Sequence, residues 1–153
     1  MGLNFEIKHY NELTVDEIYD LISLRVEIFS VEQEAVYNDL DGYDKFCFHL
    51  IGKNEDDKII STTRIIPPGV KYDKTSFGRV ALNKDYRKRG AGHQMINMVN
   101  DFIAEKYPKN GIKISAMLYL EKFYEEHGFK RSSDVYLDCE IEHIDMEIEE
   151  IKS

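Results

Sequence analysis

The stretch from residue 76 to residue 103 leaves the fold little freedom. Ser76 to Leu82 reads as a strand and runs into a basic turn, where Lys84, Arg87, Lys88 and Arg89 place four cations within six residues. After Gly90-Ala91-Gly92 the hydrophobic period changes, and Met95, Ile96, Val99, Phe102 and Ile103 recur as one apolar helical stripe. A strand, a basic glycine-rich turn and a helix start, in that order, predict an anion site. Free backbone N–H groups at a helix N-terminus, aided by the helix dipole, bind phosphate. Glycines at 90 and 92 remove side chains that would hold a pyrophosphate away. A dinucleotide fingerprint fails because Met95 stands where its third glycine belongs, and no Gly-Lys-Ser/Thr closes a P-loop. A solvated basic turn and a short nucleic-acid or nuclear-localisation patch are the competing readings of the same residues.

The rest of the chain supplies further strands and helices. Phe5 to Tyr10 is β-like, and Thr14-Val15-Asp16-Glu17 forms a capping box ahead of an amphipathic helix to about Ser30. Val31 to Lys45 is acidic and irregular. Strands are predicted over 46–51, 58–66 and 76–82, and a helix from Gly90 to near Pro108. A strand over 112–117, a short helix over 118–127 closed by Gly128, and two strands over 129–137 and 142–149 complete the order. Strands in series, then strands separated by helices, predict an α/β (α+β) fold with a mixed sheet. No linker or repeat divides the 153 residues, so one domain over 1–153 is expected.

Composition excludes several classes. The balance of 29 acids against 20 bases gives a net charge of −9, too acidic for a protein that coats nucleic acid. No apolar run approaches the roughly 20 residues that span a bilayer. The first residues carry no charged-then-apolar leader, and two cysteines far apart make no disulfide scaffold, so a cytoplasmic protein is expected. Five scattered histidines and no Cys-x-x-Cys or His-Glu-x-x-His predict no metal site.

Arg87-Lys88-Arg89-Gly90-Ala91-Gly92 after a strand resembles the acetyl-CoA-binding motif of the GNAT (Gcn5-related) N-acetyltransferase superfamily. Phe123-Tyr124-Glu125-Glu126-His127-Gly128-Phe129, about thirty residues on, resembles its second signature, Tyr-x-x-x-Gly-Phe. Leu24-Arg25-Val26-Glu27-Ile28-Phe29, Leu40-Asp41-Gly42, Pro67-Pro68-Gly69-Val70 and Glu142-His143-Ile144-Asp145-Met146 look like the ElaA-type branch. The resemblance implies a splayed mixed sheet flanked by helices, with CoA between the fourth and fifth strands. It further implies that Val80, Ala81 and Leu82 pair with the pantetheine arm, that the amides from Arg87 through Lys88, Arg89, Gly90 and Ala91 to Gly92 hold the pyrophosphate, and that Tyr124 is the general acid beside the sulfur.

Acetyl transfer to an amine has definite needs. A primary ammonium of pKa ~10.4 is neutral in only about one molecule in 2,500 at pH 7, roughly 4.6 kcal/mol uphill, so a base is required. The departing thiolate, cysteine-like with a pKa of ~8.5, can take a proton from a tyrosine near 10. Tyr119 is a second tyrosine in reach of that role but does not fit the signature spacing. A main-chain N–H of the fourth strand, that of Leu82, is expected to polarise the carbonyl. For the base, Glu27, Glu32, Asp41 and His49 stand as candidates; Glu27 and Glu32 read equally as a solvated helix face, and His49 as a core histidine. Arg25 on the apolar side of its helix predicts an internal salt bridge with Glu27 or a loop acid.

The leading expectation is an acetyl-CoA-dependent N-acetyltransferase acting on a primary amine of a small molecule or protein, by direct attack in a ternary complex. A non-catalytic acyl-CoA-binding sensor and an interaction module using the acidic segment 138–150 are the alternatives. No nucleic-acid or membrane partner is expected, and the fold admits a homodimer through edge strands.

Overall fold

The computed structural model describes residues 3–34 and 38–149. Residues 1–2, 35–37 and 150–153 lie outside the description, and with them part of the acidic stretch expected over 31–45, both ends of the expected domain and the last residue of the acidic segment. Strand β1 (Asn4–His9) leads into helix α1 (Val15–Val26). The predicted capping box is formed: Glu17 N–H donates to Thr14 Oγ1 at 3.0 Å, and Thr14 N–H donates to Glu17 Oε1 at 2.9 Å. Burial pushes the Glu17 carboxyl up, but the Thr14 N–H and the Lys53 and Lys8 ammoniums outweigh it and hold the pKa at about 2.

α1 ends four residues before the predicted Ser30. Glu27–Glu32 continues as a wider π-type turn, closed by Gln33 N–H on the Ile28 carbonyl at 3.3 Å. The extra residue per turn lets adjacent Ile28 and Phe29 both face inward, where they pack with Leu24 against Ala81. Phe46, expected in a strand, lies instead in a 3₁₀ turn (Asp44–Phe46) and is 59% exposed. Cys47 N–H bonds back to the Asp44 carbonyl, so the strand begins only at Phe48.

Strands β2 (Phe48–Lys53), β3 (Ile59–Ile66) and β4 (Ser76–Leu82) follow β1 in one antiparallel sheet of order β1-β2-β3-β4. Helix α2 (Ala91–Lys106) buries Met95, Ile96, Val99 and Ile103 completely. Full burial of side chains of this size contributes about 1.5–3 kcal/mol each. After α2 come β5 (Ile112–Met117) and a short α3 (Glu121–Glu125), preceded by a 3₁₀ turn over Leu118–Leu120. The last predicted strands rearrange. The stretch 129–137 is two short strands, β6 (Lys130–Arg131) and β7 (Tyr136–Asp138), each paired antiparallel to β8 (Ile141–Ile148). Between them the chain leaves the ladder, held by Ser132 N–H on the Asp145 carbonyl and Asp145 N–H on Ser133 Oγ, both 2.8 Å.

The two sheets meet at one parallel bridge, Thr75 with Ile112, where Lys113 N–H donates to the Thr75 carbonyl at 2.9 Å. Just before β5, Gly111 (φ +68°) passes so close to the end of β8 that a β-carbon there would overlap the Glu149 carbonyl. Beyond the bridge β4 and β5 are not paired. The result is the mixed, splayed sheet expected.

A buried charge network fixes the loop after α1. Arg25, 1% exposed, donates to Asp44 Oδ1 at 2.7 Å and lies 2.9 Å from Asp39 Oδ2, so its salt bridge uses loop acids and not Glu27. Arg64, 2% exposed, grips both oxygens of Asp41 at 2.7 and 2.9 Å. Arg79 reaches Asp39 Oδ1 at 3.1 Å and Asp41 Oδ2 at 3.3 Å. Three guanidiniums and three carboxylates thus join α1, β3, β4 and the loop.

Removing one partner of such a buried pair costs about 3–5 kcal/mol because the other charge is stranded. Arg25→Met should therefore lower Tm by roughly 6–20 °C in a thermal melt. Burial raises the Asp41 carboxyl, but Arg64, the Tyr43 N–H and Arg79 hold it down at about 2. Its stabilisation is complete above the ordinary carboxylate pKa near 3.9 and is lost as pH falls through about 2. Tm followed downward in pH should fall steeply between those values, and Asp41→Asn should flatten that fall.

Candidate active site

A cleft of about 870 Å³ opens where β4 and β5 part. The start of α2 walls one end, and Ile28 and Phe29 of the π-type turn wall another side. The β4 edge that faces it follows from the register. Asn83 N–H bonds to the Ile60 carbonyl at 2.8 Å, and Ala81 lies opposite Thr62. In an antiparallel ladder alternate residues turn their main-chain groups to opposite edges, so Ala81 points to β3 while Val80 and Leu82 point to the cleft. A bulge precedes them: Thr62 pairs with Ala81 but Arg64 with Gly78, placing an extra residue on β4, with Arg79 at φ +50°.

At the helix end, Gly90 is the N-cap of α2 at φ +79°, a conformation that favours glycine, and no side chain caps it. Gln94 N–H makes the first helical bond, to the Gly90 carbonyl at 3.1 Å, so the amides of Ala91, Gly92 and His93 lack helical acceptors. A β-carbon at Gly92 would meet only the Phe123 ring, at 3.6 Å. Arg87 is already engaged: Nε donates to the Leu82 carbonyl at 2.9 Å, and its two terminal nitrogens clasp Glu32 at 2.5 and 3.1 Å. Among the residues expected around CoA, Ala81, Arg89 and Ala91 do not line the cleft, and the others do. Ala81 is paired to β3, Arg89 lies over the Tyr86 ring at 5.9 Å, and Ala91 is buried.

Tyr124 lines the cleft, 5% exposed, packed against Phe123, Phe129 and Phe77 with ring centroids 5.1, 5.9 and 6.2 Å away. Its hydroxyl has no hydrogen-bond partner among the described residues. Burial, with nearby Tyr119, pushes its pKa up, so it carries its proton at neutral pH. Tyr119 also lines the cleft but is 75% exposed.

The four base candidates are not brought together. Glu27 is exposed and does not line the cleft. Glu32 lines it, but the hydrogen bond from Arg87 holds its carboxyl low, which weakens it as a base. Asp41 is held by Arg64 and Arg79. His49 is 1% exposed in the core, with Nε2 on the Asp44 carbonyl at 3.0 Å, and burial pushes its pKa down. The sequence by itself assigns no role to the polar wall at the other end. There Ser115, Tyr136 and His143 line the cleft; Tyr136 OH bonds to Ser115 and, at 2.7 Å, to Asp145. Burial and the Asp145 carboxylate push the Tyr136 phenol up to about 12. The signal was strand alternation: with Ile144 and Met146 inside, His143 and Asp145 take the other face. Among the described residues no group of three or more His, Cys, Asp or Glu is placed to hold a metal, and no helix is long and apolar enough to cross a membrane.

A family model described as an acetyltransferase (GNAT) domain matches residues 13–150. A UPF0039 protein of Synechocystis sp. is 36% identical over 146 residues, 95% of each chain. Protein ElaA of Escherichia coli is 30% identical over 148 residues, again 95% of each, and its crystal structure superposes with a TM-score of 0.91 over 97% of this chain and 100% of that one. The crystal structure of an acyl-CoA N-acyltransferase from Pseudomonas aeruginosa, 30% identical, superposes with a TM-score of 0.91 over 95% of this chain and 99% of that one.

The thiols differ in a way a reagent can read. Cys47 is fully buried, donates to the Tyr43 carbonyl at 3.0 Å, and is pushed by burial up to about 12. Cys139 is exposed on the cleft wall. An aromatic disulfide reagent should titrate one thiol in the native protein and the second only in denaturant.

Proposed function

The chain belongs to the GNAT acetyltransferase family, in its ElaA-type branch, and from that premise we propose that it moves an acetyl group from acetyl-CoA to a primary amine by direct attack in a ternary complex. The family makes it an acyl-CoA-dependent acyltransferase. The observation that carries the finer reading is the continuous path from the free amides of α2 to the unpaired edge of β4 and on to the buried Tyr124.

Acetyl-CoA, the co-substrate, supplies an activated thioester. The residues fit it in order along the cleft. The amides of Gly92 and His93, with Lys88 beside them, hold the pyrophosphate. Val80 offers a donor and an acceptor to the pantetheine arm, as a neighbouring strand would. The Leu82 N–H, turned to the same edge, stabilises the oxyanion that forms as the amine attacks. Tyr124 gives its proton to the departing thiolate; its raised pKa keeps it protonated until the sulfur becomes basic. The acceptor enters from the face lined by Phe29 and Met117. We further propose that the chain forms one domain over 1–153.

Thermal unfolding with acetyl-CoA, CoA, ATP and NAD tests the binding part. A ligand at 100 times its dissociation constant adds about 2.7 kcal/mol, so acetyl-CoA and CoA should raise Tm by roughly 5–11 °C while ATP and NAD do not. Tyr124→Phe should leave that shift intact and lower kcat on the order of 10²-fold, measured by thiol release with a responsive amine. An unchanged kcat would remove Tyr124 as the acid.

A further inference from the structure

We propose that His143 takes the proton from the attacking amine, an assignment that rests on the amine-acetylating reading above. His143 Nδ1 lies 2.7 Å from the Ile141 carbonyl oxygen. A carbonyl oxygen can only accept, so Nδ1 carries the hydrogen and Nε2 is the ring's lone-pair nitrogen. Among the described residues Nε2 has no hydrogen-bond partner, and His143 belongs to the cleft wall. The ring is further held by stacking on Tyr136, with centroids 6.1 Å apart and planes at 23°. Tyr136 is itself fixed by Asp145 at 2.7 Å. The imidazole therefore has a fixed tautomer, a fixed plane and a basic nitrogen left open.

Its height in the sheet is right for the chemistry. His143 pairs across the ladder with Met117, the last residue of β5. β4 and β5 run parallel from the Thr75–Ile112 bridge, so, with the bulge pair Arg79–Val80 counted as one step, Met117 stands as far from that bridge as Ala81, with Leu82 one residue on. Alternation decides the face. Ile114 and Ala116 turn to the core with α2 and Tyr124, whereas Met117 turns to the other side and packs with the Leu24, Ile28 and Phe29 cluster. His143, opposite Met117, shares that acceptor side, and Tyr124 stands on the side of the leaving sulfur. The N–C bond forms as C–S breaks; the amine's proton passes to Nε2, and the sulfur's electron pair takes the Tyr124 proton. The imidazolium then releases its proton and Tyr124 regains one from solvent, giving an amide and a thiol.

The titratable and charged groups facing the ring's end of the cleft are Tyr136 and Asp138 of β7, Cys139 of the following turn, Asp145 along β8, Tyr119 beyond β5, Lys71 and Tyr72 before β4, Arg79 of β4 and, across the cleft, Glu32. Glu32 is bound to Arg87 and Asp145 to Tyr136. Neither matches an open nitrogen whose tautomer the backbone sets.

His143→Asn keeps an N–H near Nδ1 for the Ile141 carbonyl and removes only the outer nitrogen. Thiol release from acetyl-CoA is measured with spermidine, glucosamine and a short peptide bearing a free N-terminus, across pH. The expected result is a loss of about 10²–10⁴-fold in kcat/KM for any amine the native enzyme uses. Tm and the acetyl-CoA dissociation constant should be unchanged. His143→Gln, which lacks the ring but not the bulk, should behave alike. Activity within threefold of native in either folded variant overturns the assignment. If the native protein binds acetyl-CoA yet acetylates none of the amines, the amine-acetylating reading fails first. The ring is then read alone by ¹⁵N NMR of the imidazole: hydrogen on Nδ1 with Nε2 bare supports the assignment, and hydrogen on Nε2 overturns it.

Discussion

Everything functional in this chain depends on β4 having a partner on one side only. The two sheets touch at Thr75 and Ile112 and then diverge, so the outer edge of β4 has no strand beside it and turns main-chain groups of Val80 and Leu82 to a cavity, the Leu82 carbonyl taken by Arg87. Unpaired backbone groups away from water carry a large desolvation penalty, and a ligand that can pair with them as a strand would is bound by its main-chain-like portion. The bulge at Arg79 sharpens the divergence. It adds one residue to β4 at the level where the strand would otherwise continue flat against β5.

The cost of keeping that cavity open is met by charge. Arg79, which stands in the bulge, is held by Asp39 and Asp41, and those acids are held in turn by Arg25 and Arg64. With nearly all of both guanidiniums buried, the network has little slack: each carboxylate sits where a second arginine also reaches. The loop that carries Asp39, Asp41 and Asp44 is thus positioned by directional hydrogen bonds, whereas an apolar contact of the same area would let it slide. Arginine pairing likewise occupies two of the base candidates. Asp41 and Glu32 are each bound to arginine, and a carboxylate so stabilised does not readily accept a proton.

The sheet also keeps the two proposed proton-transfer groups apart. Side chains alternate across a strand, so a splayed strand pair exposes one face to α2 and α3 and the other to the π-type turn after α1. Tyr124 belongs to the first face and His143 to the second. In the proposed reaction, a donor for the sulfur and an acceptor for the amine on opposite sides of the thioester would act together without exchanging a proton with each other.

The sequence by itself determined the local parts. The capping box at Thr14, the strands over 76–82 and 112–117, the stripe of α2 and the glycine at its start all follow from neighbours within a few residues, and such short-range signals survive in any context. Tyr124 was legible for the same reason, because its signature is contiguous. The tertiary structure alone decided the rest. That Phe46 leaves its strand, that α1 widens into a π-type turn, and that Arg25 chooses Asp39 and Asp44 over Glu27 all depend on partners brought from far along the chain. So does the separation of Glu27 from the cleft, the capture of Glu32 by Arg87 across 55 residues, and the open nitrogen of His143 opposite Met117. Periodicity says which face a side chain takes; only packing says what that face meets.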